Sequence, residues 1–286
     1  MKFHHYAVLA IAALSCSNTQ FGVVNAQTPT AAPSATASGS ATSDRTGESS
    51  VVVFGRGVSA LGDFSNVNGG DDNIAKGDYA VIAGGSSNSV FSKFSTISGG
   101  DFNEIGSKSA ECTISGGDGN FIANNAEDSV ITGGLENSVC LSKDIKLCSG
   151  CTISGGTGII CDAKEAVRTG GGATDLFSTG DRSVVTGGED NESGGENAAI
   201  VGGKDNRAGG TLSIALGTQV QATEGSSMVI NLNPDVEERL KSEEAGQFIA
   251  NAKSYTFQIG QNNDSLGIEI TANNIQNLID ALENAA

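Results

Sequence analysis

The feature that most limits what this chain can fold into is a glycine pair that returns about every sixteen residues. It appears in Ala83-Gly84-Gly85-Ser86-Ser87-Asn88, Ser98-Gly99-Gly100-Asp101-Phe102-Asn103, Ser115-Gly116-Gly117-Asp118-Gly119-Asn120 and Thr132-Gly133-Gly134-Leu135-Glu136-Asn137. It returns in Thr186-Gly187-Gly188-Glu189-Asp190-Asn191 and Val201-Gly202-Gly203-Lys204-Asp205-Asn206. Gly69-Gly70 and the weaker units Phe54-Gly55, Gly155-Gly156, Gly171-Gly172 and Leu216-Gly217 complete eleven units whose ten gaps span 162 residues. A fixed period of this length marks a solenoid, in which each unit buries its apolar face against the next.

The unit has an internal order. A short alternating strand comes first, as in Thr96-Ile97-Ser98, Thr113-Ile114-Ser115 and Thr152-Ile153-Ser154, with Ile turned one way and the hydroxyl residues the other. The glycines allow a corner at positive φ. An Asn follows, then a second strand and often a second glycine corner. The recurring Asn73, Asn88, Asn103, Asn120, Asn137, Asn191 and Asn206 are expected to stack and satisfy the corner amides. Eleven coils at strand spacing would give a rod of roughly 50 Å.

Units such as Ser183-Val184-Val185-Thr186-Gly187-Gly188-Glu189-Asp190-Asn191 and Ser213-Ile214-Ala215-Leu216-Gly217 resemble the YadA-like head repeats of trimeric autotransporter adhesins, over residues 50 to about 225. The resemblance implies a left-handed parallel β-roll, a homotrimer, and adhesion to a cell surface or extracellular matrix. It does not extend to a heptad stalk or a membrane anchor, so the expected protein is released or held by other means. The spacing also loosens to 17, 17 and 22 between residues 99 and 155, where that family is regular.

The flanks read differently. Met1 to Tyr6, the apolar run Ala7 to Leu14 and the small residues Val24-Asn25-Ala26 form a secretory signal peptide pattern over 1–26, too short to span a bilayer. A lipoprotein signal cut before Cys16 fits less well. Residues 27–49, rich in Thr, Ala and Ser, are a linker. Residues 226–286 are expected to form a small α+β unit that caps the solenoid or attaches it. Its parts are a helix begun at Asn233-Pro234-Asp235 and ended at Gly246, a hairpin from Tyr255/Phe257/Ile259 to Leu266/Ile268/Ile270, and a final helix from Thr271.

Composition narrows the function. Both histidines lie in residues 1–26, and removing that segment leaves 15 basic residues against 33 acidic ones, a charge of −18. Without His there is no Ser-His or Cys-His nucleophile and no His-ligated zinc. The acidic surface repels phosphates, so nucleic acid is not an expected partner, and no later segment is apolar enough for a membrane span. No cofactor or metal is expected. The Gly116-Gly117-Asp118-Gly119-Asn120 stretch resembles a calcium-binding nonapeptide, but the period is wrong and neighbouring units lack the Asp.

The remaining candidates are cysteines and hydroxyls. Secretion favours disulfides among Cys140, Cys148, Cys151 and Cys161, because the 22-residue coil carries extra chain between Cys140 and Cys148 that must bulge outward. Cys140–Cys148 is the favoured bond and Cys140–Cys161 its competitor. Cys151 pairs with Cys161 if with anything, and Cys112, two coils from Cys151, is the odd thiol. Thr96, Ser98, Thr113, Ser115, Thr152 and Ser154 form candidate outward rows for surface binding or, as a second function, for ordering water as ice-binding solenoids do. A polysaccharide-active enzyme is a third class, with no acidic pair that stands out from the solvated face. Of the glycosylation sequons at Asn191 and Asn263, the second, on a hairpin tip, is the better acceptor.

Overall fold

The computed structural model describes residues 44–141, 148–171, 177–233, 239–252, 254–259 and 266–271. Two parallel sheets of thirteen strands each run side by side, and the chain alternates between them, so each coil supplies one strand to each. The described residues contain strands, turns and bends but no helix. Thirteen stacked strands span roughly 58 Å at the usual spacing.

Most strands are two residues long, one inward and one outward, as in Ser59–Ala60 of the first sheet and Thr96–Ile97 of the second. The inward row of the second sheet is an aliphatic stack: Ile97 pairs with Ile114, Ile114 with Ile131 and Ile131 with Ile153. These side chains are fully buried. The interior is narrow, and the row just before each strand of the second sheet is therefore small: Ser95, Cys112, Ser129, Cys151 and Ala166 are all buried there.

Two corners close each coil. At the first, a Cβ on Gly188 would overlap the Gly203 carbonyl oxygen of the next coil, while one on Gly187 would sit 3.4 Å from the Thr169 carbonyl. The second glycine of the pair is thus demanded by packing as well as by φ. The residue before each ladder Asn is also left-handed, for example Phe102 (φ 54°) and Asp190 (φ 53°). Between residues 99 and 155 the second corner absorbs the irregular spacing. In the two 17-residue coils the additional chain lies at Ser107–Ala110 and Asn124–Glu127, and the two bulges stay in register through a Ser107 N–H bond to Asn124 Oδ1 at 2.7 Å.

Three expectations change. The ladder begins before residue 50, with Asp44–Arg45 pairing to Ser59–Ala60. It also runs past residue 225: Met228–Asn231 and Phe248–Asn251 continue the second sheet, and Leu240–Lys241 the first. The expected helix from Asn233 to Gly246 is therefore absent from its described part, where Leu240 pairs with Val220 and Gln221 with Lys241. Residues 240–241 and 248–251 pair onto the open sheet edges of the preceding coil, and the described residues of 226–286 do not show a separate α+β unit. The hairpin does form, Ser254–Ile259 against Leu266–Thr271 with Tyr255 opposite Ile270 and Phe257 opposite Ile268. The final helix, the turn with Asn263 and the signal segment lie outside the described residues.

The third change is one of register. In Gly170-Gly171-Gly172 the pair equivalent to Gly155-Gly156 is Gly170-Gly171, not Gly171-Gly172. The Thr157 N–H bonds to the Gly171 carbonyl as the Leu135 N–H bonds to the Gly156 carbonyl. A slip of one residue exchanges inward and outward side chains. The corrected register puts Arg168 inward, opposite Ile153 on one side and Val185 on the other.

Candidate functional site

The asparagine row is structural. Asn103 Nδ2 donates to the Gly99 carbonyl of its own corner (3.1 Å) and to the Gly117 carbonyl of the next coil (2.9 Å). Its Oδ1 accepts the Asn120 backbone N–H and Nδ2, each at 3.1 Å. The same pattern links Asn73, Asn88, Asn120 and Asn137, and Asn191 to Asn206. All seven are buried. Asn191 places both amide hydrogens on the carbonyls of Gly187 and Gly203, so its sequon offers no free nitrogen. The row stops where Ile159 stands in the Asn position; its N–H bonds to Asn137 Oδ1 at 3.0 Å.

The outward hydroxyls fall into two rows on the second sheet. In the first, half-buried row, Thr96 pairs with Thr113, but Val81 and Val130 flank them and Thr152 stands between Val130 and Val167. This row is mainly apolar, and it continues through Val184, Ala199, Ile214 and Met228. The second row is different. The strand pairings put Ser98, Ser115, Thr132, Ser154, Thr169 and Thr186 at equivalent positions of successive coils. Thr169 is half-buried and the other five are exposed. Sequence reading found Ser98, Ser115 and Ser154 but missed Thr132, Thr169 and Thr186. The signal was present, in that each is the residue just before a glycine pair.

Three rings make a further row. Phe64, Tyr79 and Phe94 stack with centroids 4.9 Å apart. They are 46, 46 and 55% exposed and lie at the left-handed position of the second corner. Ion pairs also follow the coil period: Arg56 with Asp71, Lys93 with Asp78 (2.8 Å) and Lys204 with Glu189 (2.8 Å). Such exposed pairs add little stability. The hydrogen bond from Arg56 holds the Asp71 carboxyl below its ordinary range, as that from Lys93 does for Asp78.

The cysteines gather around the longest coil. Cys140 and Cys148, at the second corner, are joined by a disulfide, Cα to Cα 5.8 Å. Cys112, Cys151 and Cys161 are buried thiols. Cys112 and Cys151 occupy one row with Ser129 between them, two coils apart. Burial pushes the Cys112 thiol up to about 12. Cys151 and Cys161 meet in the interior with sulfurs 2.6 Å apart. Close by, the Arg168 guanidinium is buried and none of its nitrogens has a hydrogen-bond partner. Sequence reading missed Arg168; the signal was an Arg in a column otherwise held by Ile, Val and Ala215, hidden by the triple glycine.

Among the described residues, no three His, Cys, Asp or Glu side chains group in a way that could hold a metal ion. No helix among them is long and apolar enough to cross a membrane. Compared with known proteins, the chain matches no family model and no curated protein.

Proposed function

We propose that this protein is a secreted, non-catalytic β-solenoid that binds a cell surface or extracellular matrix, in the manner of the adhesin heads its repeats resemble. The observation that carries the reading is the pair of parallel rows on the second sheet. An unbroken hydroxyl row over six coils runs beside a mainly apolar row, both repeating at the strand spacing of ~4.8 Å. Such an array presents many identical weak contacts in line, which suits an extended, repetitive partner and gains from multivalency. The half-buried apolar row, toward Ile214 and Met228, also suits packing against further copies of the chain, as the homotrimer implied by the resemblance requires.

The same hydroxyl row favours a second reading, in which the face orders water and binds ice. The two separate cleanly by experiment. The adhesive reading expects a trimer by mass in solution and saturable binding of the purified chain to cells or matrix-coated plates. The water-ordering reading expects thermal hysteresis, lost on Thr132→Tyr within that row and on Thr113→Tyr in the row beside it. Hysteresis without surface binding would overturn the adhesive reading.

A further inference from the structure

The corrected register brings three chemically active side chains into one stretch of the interior. Cys151 occupies the small-residue row that precedes the second sheet, and Cys161 is the inward residue of the strand Ile160–Cys161 in the first. Both are fully buried, and the Cys161 thiol donates to the Cys151 sulfur at 2.6 Å. Arg168, one strand on from Ile153, is 1% exposed. A buried guanidinium with no hydrogen-bond partner is strongly unfavourable unless a counter-charge lies near. The other buried charge of this coil, Asp162, accepts the Leu141 N–H at 2.6 Å.

We propose that Cys151 and Cys161 form a dithiol–disulfide couple inside the solenoid, and that Arg168 is a positioning residue that holds the reduced pair as a thiol and a thiolate sharing one proton. The charge balance agrees. Hydrogen bonding from Cys161 draws the Cys151 thiol down, while Cys161 is pushed well up as the group that keeps the proton. Desolvation lowers Arg168 to about 10, and attraction to the two sulfurs opposes that fall. Asp162 acts against the thiolate by pushing both thiols up.

With a glutathione disulfide as oxidant the step balances. The Cys151 thiolate attacks one sulfur of the oxidant and expels one glutathione thiolate. Cys161 then gives up its proton, attacks the Cys151 sulfur of the mixed disulfide and expels the second. One protein thiol and one thiolate become one disulfide, and one glutathione disulfide becomes two glutathiones, which take one proton from Cys161 and one from solvent. Because both sulfurs are buried, exchange proceeds through opening of the coil. Oxidation removes the thiolate that balances the Arg168 cation, so Arg168 makes the bond easier to reduce.

The test equilibrates the full chain in glutathione buffers of graded ratio, quenches with acid, and maps linked and alkylated peptides after unfolding. Cys151–Cys161 linkage is expected to appear as the buffer becomes oxidising. Arg168→Ile, which copies the Ile153 and Ile200 positions, should shift its midpoint at least about tenfold toward the linked form by removing the stranded cation. Arg168→Val, matching Val185, should do the same if the Ile variant does not fold. Arg168→Lys keeps the charge and should stay near the parent, and the Cys140–Cys148 midpoint should not move in any variant. Recovery of Cys151 and Cys161 as separate thiols across the whole series, linkage of either to Cys112, or equal midpoints in parent and Arg168→Ile would overturn the proposal.

Discussion

At the scale of single residues, the two glycines of each pair have different work. Gly187 and Gly188 both sit at positive φ, 73° and 98°, but only Gly188 lies where a side chain would strike the backbone of the next coil. Gly187→Ala should therefore cost about 1–2 kcal/mol, the strain of a left-handed alanine. Gly188→Ala should cost about 3 kcal/mol or more, because that strain is joined by displacement of the Gly203 carbonyl. Urea unfolding of the two variants checks the order; equal costs would mean that the coils separate easily enough to admit a methyl group. The sequence showed both glycines and their period, yet not this asymmetry, which depends on the stacked neighbour. It likewise hid Arg168, since Gly170-Gly171-Gly172 permits two registers and only pairing between coils selects one.

At the scale of elements, a two-residue strand is too short to hold itself, and the stacked asparagines supply what the strands lack. Asn103→Ala would leave the Gly99 carbonyl and the Asn120 backbone N–H without a partner, while the Gly117 carbonyl keeps the Asp101 N–H and the Asn120 side chain keeps the Gly116 and Gly134 carbonyls. Each unpaired buried group costs about 1–3 kcal/mol, so a loss of about 2–4 kcal/mol is expected in urea unfolding, with the damage greatest at residues 88–120 by hydrogen exchange. A loss below about 1 kcal/mol would show the row to be incidental. The row was legible because Asn recurs at a fixed distance from the glycines. The continuation from Met228 to Asn251 was not, because Asn233-Pro234-Asp235 carries strong helix-start chemistry. There the alternation of Met228–Asn231, buried at Val229 and Asn231, is a short signal that only the preceding coils make decisive.

At the scale of the whole molecule, the buried aliphatic side chains among the described residues fall into two clusters. The first runs from Val58 to Ala166 and the second from Val185 to Val229, with Arg168 in the gap. Ile159 also interrupts the asparagine row here, and the 22-residue coil ends just before it. In a solenoid each coil is supported only by its neighbours, so a weak interface divides the cooperative unit. Thermal unfolding should show two transitions, and native-state hydrogen exchange should place their boundary near residues 159–185. Arg168→Ile, which makes the inward column continuous, should raise the first transition and merge it with the second. A single transition in the parent chain would show that backbone pairing alone carries cooperativity across the gap.

The disulfide at the second corner has a mechanical consequence. If the ends of the solenoid were drawn apart, coils would detach and release their length to the applied force, but the segment between Cys140 and Cys148 could not follow. Eight residue steps extend to roughly 28 Å, and the bond holds their ends 5.8 Å apart. Each molecule thus keeps roughly 22 Å of chain in reserve, by the same per-residue reach. That length is given up only when a reductant opens the bond, which makes the reach of a tethered molecule under load a function of its redox surroundings.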